Sequence, residues 1–216
     1  MNIMAQGGWP VSAATLGRQR AATSAHEGAE RPSLDDLGIL FLSGAIDEGA
    51  ARSVCERIVE LNVQGEAECI QLVINSSGGD WHAGFGIVDL MSWSRLPVYT
   101  TGVGLVASMA LVVFMAGAAG HRVLTPHTSL LSHTFRALVA GTRAELLARR
   151  KLEDWMHQQL VAHYQRHTAL KTEAEVAARL LGEGDLWLTP GEAVALGVAD
   201  RIHPLCPSLP LTQEVA

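Results

Sequence analysis

The run Gly102-Val103-Gly104-Leu105-Val106-Ala107-Ser108-Met109-Ala110-Leu111-Val112-Val113-Phe114-Met115-Ala116-Gly117 decides how this chain is read. A β-like run, Val98 to Val103, feeds into it. The chain then passes through small residues and reaches Ser108, at the head of an apolar segment of helical character. At a helix N-terminus, unpaired backbone N–H groups and the positive end of the dipole favour developing negative charge. Such a place suits a nucleophile and an oxyanion. Taken alone, a serine there is equally an N-cap, a position the residue favours.

Composition bounds the alternatives. The 216 residues suit one domain with a sizeable core and some tail. The chain is 48% hydrophobic and 18% charged, with a mean hydropathy of +0.18. That is high for a soluble monomer and points to buried subunit contacts. A net charge of -6 argues against a phosphate-tracking nucleic-acid surface. Cys55, Cys69 and Cys206 are widely spaced and odd in number, with no metal-ligand spacing, as fits a reducing cytoplasm. Met1 to Pro10 lacks a basic region followed by an apolar run, so no secretory signal is expected. Gly102 to Gly120 is uncharged and nearly as long as the roughly 20 residues a bilayer needs. Its glycines and the β-like run entering it favour a buried strand–turn–helix over a membrane span.

Working outward, residues 1–35 are rich in Gly, Ala, Ser and Arg without a sustained period, and are expected to form a mobile arm. A first strand is expected over 38–42 and a helix over 47–63, with Ala50, Val54, Ile58 and Leu61 on its apolar side. The continuous apolar run Cys69 to Ile74 reads as a buried parallel strand. It leads into Asn75-Ser76-Ser77-Gly78-Gly79-Asp80, where the paired glycines permit positive φ and close backbone approach. A helix over 81–94, the strand 98–103 and the helix 108–117 follow. This alternation predicts an α/β fold with a mainly parallel sheet. Chemistry in such sheets collects where strand C-termini meet helix N-termini, which makes Gly78-Gly79 and Ser108 candidate neighbours.

Further on, short strands are expected at 122–124 and 129–133. The longest helix is expected over 142–167, with an apolar stripe from Leu146 to Tyr164 and a Glu145–Arg149 pair. A shorter helix over 172–181, an extended run at 185–188 and a Thr189-Pro190 helix start complete the fold before a tail at 204–216.

Serine hydrolysis needs a nucleophile, a base, a group that orients the base, and oxyanion donors. Among nine histidines, His133 ends an apolar strand soon after the Ser108 helix, while His157, His163 and His167 fall on the long helix. Asp185 lies between a glycine-rich turn and an apolar run. Spacing alone leaves a triad and two ordinary polar caps both open. The α/β-hydrolase elbow is excluded, because Val106 and Ala110 stand where it needs glycine.

Residues 36–203 resemble the ClpP family, the proteolytic subunit of the ATP-dependent Clp protease. The resemblance is carried by Leu40-Phe41-Leu42-Ser43-Gly44-Ala45-Ile46-Asp47, Ile74-Asn75-Ser76-Ser77-Gly78-Gly79, Gly104-Leu105-Val106-Ala107-Ser108-Met109, the segment Pro126 to His133, and Leu188-Thr189-Pro190-Gly191-Glu192-Ala193 with Gly197-Val198-Ala199-Asp200. It implies a ClpP/crotonase-like fold of repeated β-β-α units with a protruding long handle helix. It implies Ser108 as nucleophile, His133 as general base and Asp185 as its orienting acid, with backbone N–H groups of Gly79 and Met109 as the oxyanion hole. It also implies paired heptameric rings enclosing a chamber, fed unfolded polypeptide by an AAA+ unfoldase such as ClpX or ClpA. ATP is then used by that partner, and no cofactor, metal, nucleic acid or membrane is expected for this chain.

Several positions mark a divergent member. Ser77 stands for a proline, Ala110 for a glycine, Thr134-Phe135 for Gln-Pro, and Gly184 for an arginine. Two other readings follow. One is a weakly active or inactive ring subunit beside an active paralogue. The other is an acyl-CoA enzyme of the crotonase type, which would not need Ser108, His133 and Asp185 together.

Overall fold

The computed structural model describes Leu34, residues 37–134 and residues 140–203. The proposed arm, apart from Leu34 itself, and the tail from 204 onward lie outside the described residues. Strand β1 (Ile39–Ile46) is followed by helix α1 (Glu48–Gln64). Asp47 sets the helix start, its carboxylate accepting from the Ala50 N–H at 2.8 Å. Ala51, Val54, Ile58 and Leu61 recur at helical spacing and are buried. Strand β2 (Ile70–Gly79) leads to helix α2 (Trp81–Trp93), capped by Asp80 through the Ala83 N–H. Strand β3 (Val98–Ala107) leads to helix α3 (Met109–Met115). The remainder is β4 (Arg122–Leu124), β5 (Ser129–Ser132), α4 (Arg143–His167), α5 (Glu173–Arg179), β6 (Leu186–Leu188), α6 (Pro190–Ala195) and β7 (Arg201–Ile202).

The sheet runs β1-β2-β3-β4-β7, with β5 pairing both β3 and β6. Every described pair is parallel except β5 with β6. The α/β class with a mainly parallel sheet expected from the sequence is therefore what is seen. Its first three strands are longer than expected, because each continues through its glycines to Ile46, Gly79 and Ala107. The strand β3 shows why. Gly104, at φ 64, forms a bulge over which the register with β2 moves from Ile74↔Gly102 to Ser76↔Val106. The Asn75 side chain fills the gap, accepting from the Leu105 N–H at 3.1 Å. With that donor satisfied the strand resumes, and it changes partner. Thr100 to Gly102 pair with β4, whereas Leu105 to Ala107 pair with β5.

All seven residues of α3 are buried, which is why its sequence is apolar on every face. Among the described residues no helix is long and apolar enough to cross a membrane. The long helix α4 behaves differently from its expected stripe. Leu160, Val161, His163 and Tyr164 are buried, but Leu146, Leu147, Leu152 and Trp155 are exposed. The expected Glu145–Arg149 pair is also replaced. Glu145 turns back to Thr142 in a capping box, and Arg149 instead faces Glu153 at 3.7 Å. Toward the other end, buried Arg122 ties β4 to the segment before β7 through Asp200 and reaches the His167 carbonyl. Burial alone would raise the Asp200 pKa, but hydrogen bonds and charge from Arg122 hold it below its usual range.

His163 locks α4 onto α3. Its Nε2–H donates to the Val112 carbonyl at 2.9 Å, and its ring meets Phe85 edge-on. Burial, with neighbouring His167 adding to it, lowers its pKa to about 3. His167, lowered by burial and by Arg122, stands at about 4. The folded protein therefore keeps both neutral at pH values where the unfolded chain takes up protons. Stability conferred by the neutral rings is complete above about pH 6.5, the ordinary histidine value, and declines as pH falls toward the folded values. The urea midpoint should fall between pH 7 and pH 4. In His163→Gln, which still offers an N–H but does not titrate, the fall should be shallower.

Candidate active site

Ser108 sits at the joint of β3 and α3 with φ 55 and ψ -122. It is the one non-glycine with positive φ among the described residues. Both backbone partners hold it there. Its N–H donates to the Leu131 carbonyl of β5 at 2.9 Å, and its own carbonyl accepts from the Leu111 N–H at 2.9 Å. A capping serine has extended dihedrals and accepts from the first turn. Ser108 has neither property, and no side-chain cap bond forms. The N-cap reading is thus set aside: the hydroxyl is left for other use, on a backbone strained by roughly 1–3 kcal/mol.

The glycine end of β2 lies directly against this turn. At Gly78, φ is 86, and an added Cβ would stand 2.6 Å from the Ala107 carbonyl oxygen, 2.8 Å from the Met109 nitrogen and 2.9 Å from Ser108 Cβ. Only a residue without a side chain permits that approach. At Gly79 a Cβ would run into the backbone of Ile46. The next N–H, from Asp80, donates to the Ile46 carbonyl of β1 at 2.7 Å. The Met109 N–H belongs to the first helical turn, whose donors have no intrahelical partner.

Gly79, Ser108, Met109 and His133 line one cleft of about 470 Å³, closed on its far side by α4 through Leu152, Glu153, Met156 and Leu160. His133 follows β5 and is half-buried. Its strand is anchored by Ser132, fully buried, whose hydroxyl donates to the Leu180 carbonyl at 2.6 Å and lies 2.8 Å from the Tyr164 hydroxyl. Burial pushes the Tyr164 pKa up to about 12, so it stays a neutral donor. The His133 Nδ1 lies 2.5 Å from the Thr134 carbonyl. A carbonyl only accepts, so Nδ1 carries a proton, and in the neutral ring Nε2 then holds the lone pair.

Asp185 is placed otherwise. It is exposed and does not line the cleft. Yet β5 and β6 pair Leu131 with Trp187 and Ser132 with Leu186. His133 is the residue after that ladder on β5, and Asp185 the residue before it on β6. Four of the five residues singled out in the sequence line the cleft, and the fifth, Asp185, flanks the same end of the β5–β6 ladder as the histidine. The close approach of Gly78 was expected from the paired glycines, but the roles of Ser132, Tyr164 and the α4 wall were not read from the sequence. For Gly78 the double glycine was a signal; for Ser132 and Tyr164, partners 32 residues apart, none existed. Among the described residues no group of three or more His, Cys, Asp or Glu could hold a metal ion.

The Clp protease family model matches residues 27–204, most of the chain and all of this site. The chain belongs to the Clp protease family. The ATP-dependent Clp protease proteolytic subunit 2 of Rhodococcus jostii is 30% identical over 164 residues, spanning 76% of this chain and 83% of that protein. A proteolytic subunit of Deinococcus radiodurans is likewise 30% identical, over 76% of this chain and 79% of its own length. Subunit 2 of Tropheryma whipplei is 33% identical over 166 residues, 76% of this chain and 90% of its own. Family membership implies the ClpP/crotonase-like α/β fold, consistent with the parallel sheet and its helices.

Two substitutions test the turn. Ser108→Gly should unfold at higher denaturant than Ser108→Ala, by about 1 kcal/mol, because only glycine relieves the positive φ. Gly78→Ala should lower stability by roughly 2 kcal/mol or more, since its Cβ would meet backbone atoms.

Proposed function

We propose that this chain is a serine endopeptidase subunit of a self-compartmentalising Clp-type protease that cleaves unfolded polypeptide. The observation that carries the reading is the strained Ser108 turn, with Gly78 against it and His133 lining the same cleft. In this mechanism Ser108 Oγ attacks the scissile carbonyl while His133 Nε2 takes its proton. The N–H groups of Gly79 and Met109 receive the oxyanion. The imidazolium returns the proton to the leaving amine, and water, activated by the same ring, releases the acyl group from Ser108. Asp185 replaces the Thr134 carbonyl as the partner of Nδ1–H when the site closes on substrate. That Asp185 and His133 flank the same end of the β5–β6 ladder supports this role.

The assembly belongs to the same proposal. Heptameric rings stacked in pairs would cover the exposed apolar part of α4, which then acts as a handle between rings. An AAA+ unfoldase such as ClpX or ClpA would supply polypeptide and spend the ATP, so this chain needs no cofactor of its own. The half-buried thiols of Cys55 and Cys69 accord with a cytoplasmic setting. One observation favours a second reading. The engagement of His133 Nδ1 by Thr134, with Asp185 outside the cleft, suits a weakly active or inactive ring subunit that assembles with an active paralogue.

A fluorophosphonate separates the two. The purified full chain should be labelled at Ser108 and should hydrolyse short peptides, with labelling lost in Ser108→Ala. His133→Ala should reduce kcat/KM roughly 10²- to 10⁴-fold. A chain that takes no label alone, but co-purifies with a labelled paralogue whose activity Ser108→Ala leaves intact, would establish the second reading instead.

A further inference from the structure

The wall of the cleft supplied by α4 carries a group that the peptidase chemistry does not use. Val112, Leu152, Met156 and Leu160 make that part of the cleft apolar, and among them stands the carboxylate of Glu153. Its Oε1 is buried and has no hydrogen-bond partner among the described residues. Arg149, which also lines the cleft, places its Nε 3.7 Å away, beyond hydrogen-bond reach. The Glu153 side chain is 30% exposed as a whole, but this one oxygen is withdrawn from water without a donor and is costly to leave so. The other acidic group on the cleft, Asp80, is already occupied as the cap of α2. Glu153 is therefore the negative group available to whatever enters.

We propose that Glu153 selects substrates with a lysine or arginine side chain at the residue that enters this cleft beside Ser108, an inference that rests on the peptidase reading above. Such side chains join an apolar stem to a cationic head. The stem would lie along Val112, Met156 and Leu160, and the head would donate the hydrogen bond that Glu153 Oε1 lacks. Arg149 opposes this only weakly. Its side chain is 55% exposed, so it can turn to water as a substrate cation takes its place.

The test uses the full chain as purified and two fluorogenic tripeptides that differ only in the residue before the cleaved bond, arginine in one and leucine in the other. The wild type should favour the arginine peptide in kcat/KM. In Glu153→Gln the arginine-to-leucine ratio should fall about tenfold to a hundredfold, the effect of a hydrogen bond to a charged group. In Glu153→Lys the ratio should fall further. Fluorophosphonate labelling of Ser108 in every variant reports whether the site has stayed intact. If wild type and variants are all labelled and the ratio does not change, or if the wild type prefers leucine or an acidic residue, the specificity assignment is overturned and the peptidase reading stands. If the wild type takes no label and cleaves neither peptide, both are overturned.

Discussion

The strand that pairs with two different partners along its length fixes everything near the cleft. Over Thr100 to Gly102, β3 holds β4; over Leu105 to Ala107, it holds β5. Its other edge is paired with β2 throughout, across the Gly104 bulge. Three segments are thereby delivered to one place with no freedom of register. Ser108 is the residue after β3, His133 the residue after β5, and Gly78-Gly79 the end of β2. A slip of one residue in any ladder would turn a side chain to the opposite face. The hydrogen bond that Asn75 accepts from the Leu105 N–H is small, yet it lets β3 continue past the bulge and reach its second partner.

The positive φ of Ser108 follows from the same constraint. The N–H of Ser108 completes the ladder with Leu131, and its carbonyl begins the hydrogen bonding of α3. A residue that ends a strand and starts a helix with no loop between must turn sharply. The buried helix behind it, apolar on all sides, cannot shift to relax the turn without opening the core. The sheet thus maintains strain at the residue whose hydroxyl it presents.

Much of this was legible in the sequence, for reasons that can be named. The apolar run around Ile70 to Ile74 marked a buried strand, and Thr189 before Pro190 marked a helix start through its capping chemistry. Ordered motifs around Gly79, Ser108 and His133 marked the site. What was not legible depended on distant pairings. Nothing in Gly102-Val103-Gly104 says that the strand survives its glycines, because the group that sustains it, Asn75, lies on another strand. The stripe on α4 read as one continuous face, but only its last turns are covered, by α3 and α5. No sequence pattern singled out Glu153, although it stands in the cleft wall.

The anchoring of α4 at one end has a mechanical corollary. Leu160, Val161, His163 and Tyr164 clamp the helix, while its first four turns extend from that clamp as a cantilever. At 1.5 Å per residue, Leu147 lies roughly 20 Å out from Leu160 and Glu153 about half as far. A tilt too slight to disturb the clamp is magnified in proportion along the shaft. A load on the tip is felt at Tyr164, whose hydroxyl lies 2.8 Å from that of Ser132, the residue before His133. The shaft thus gives an outside contact leverage on the spacing between the cleft wall and the imidazole.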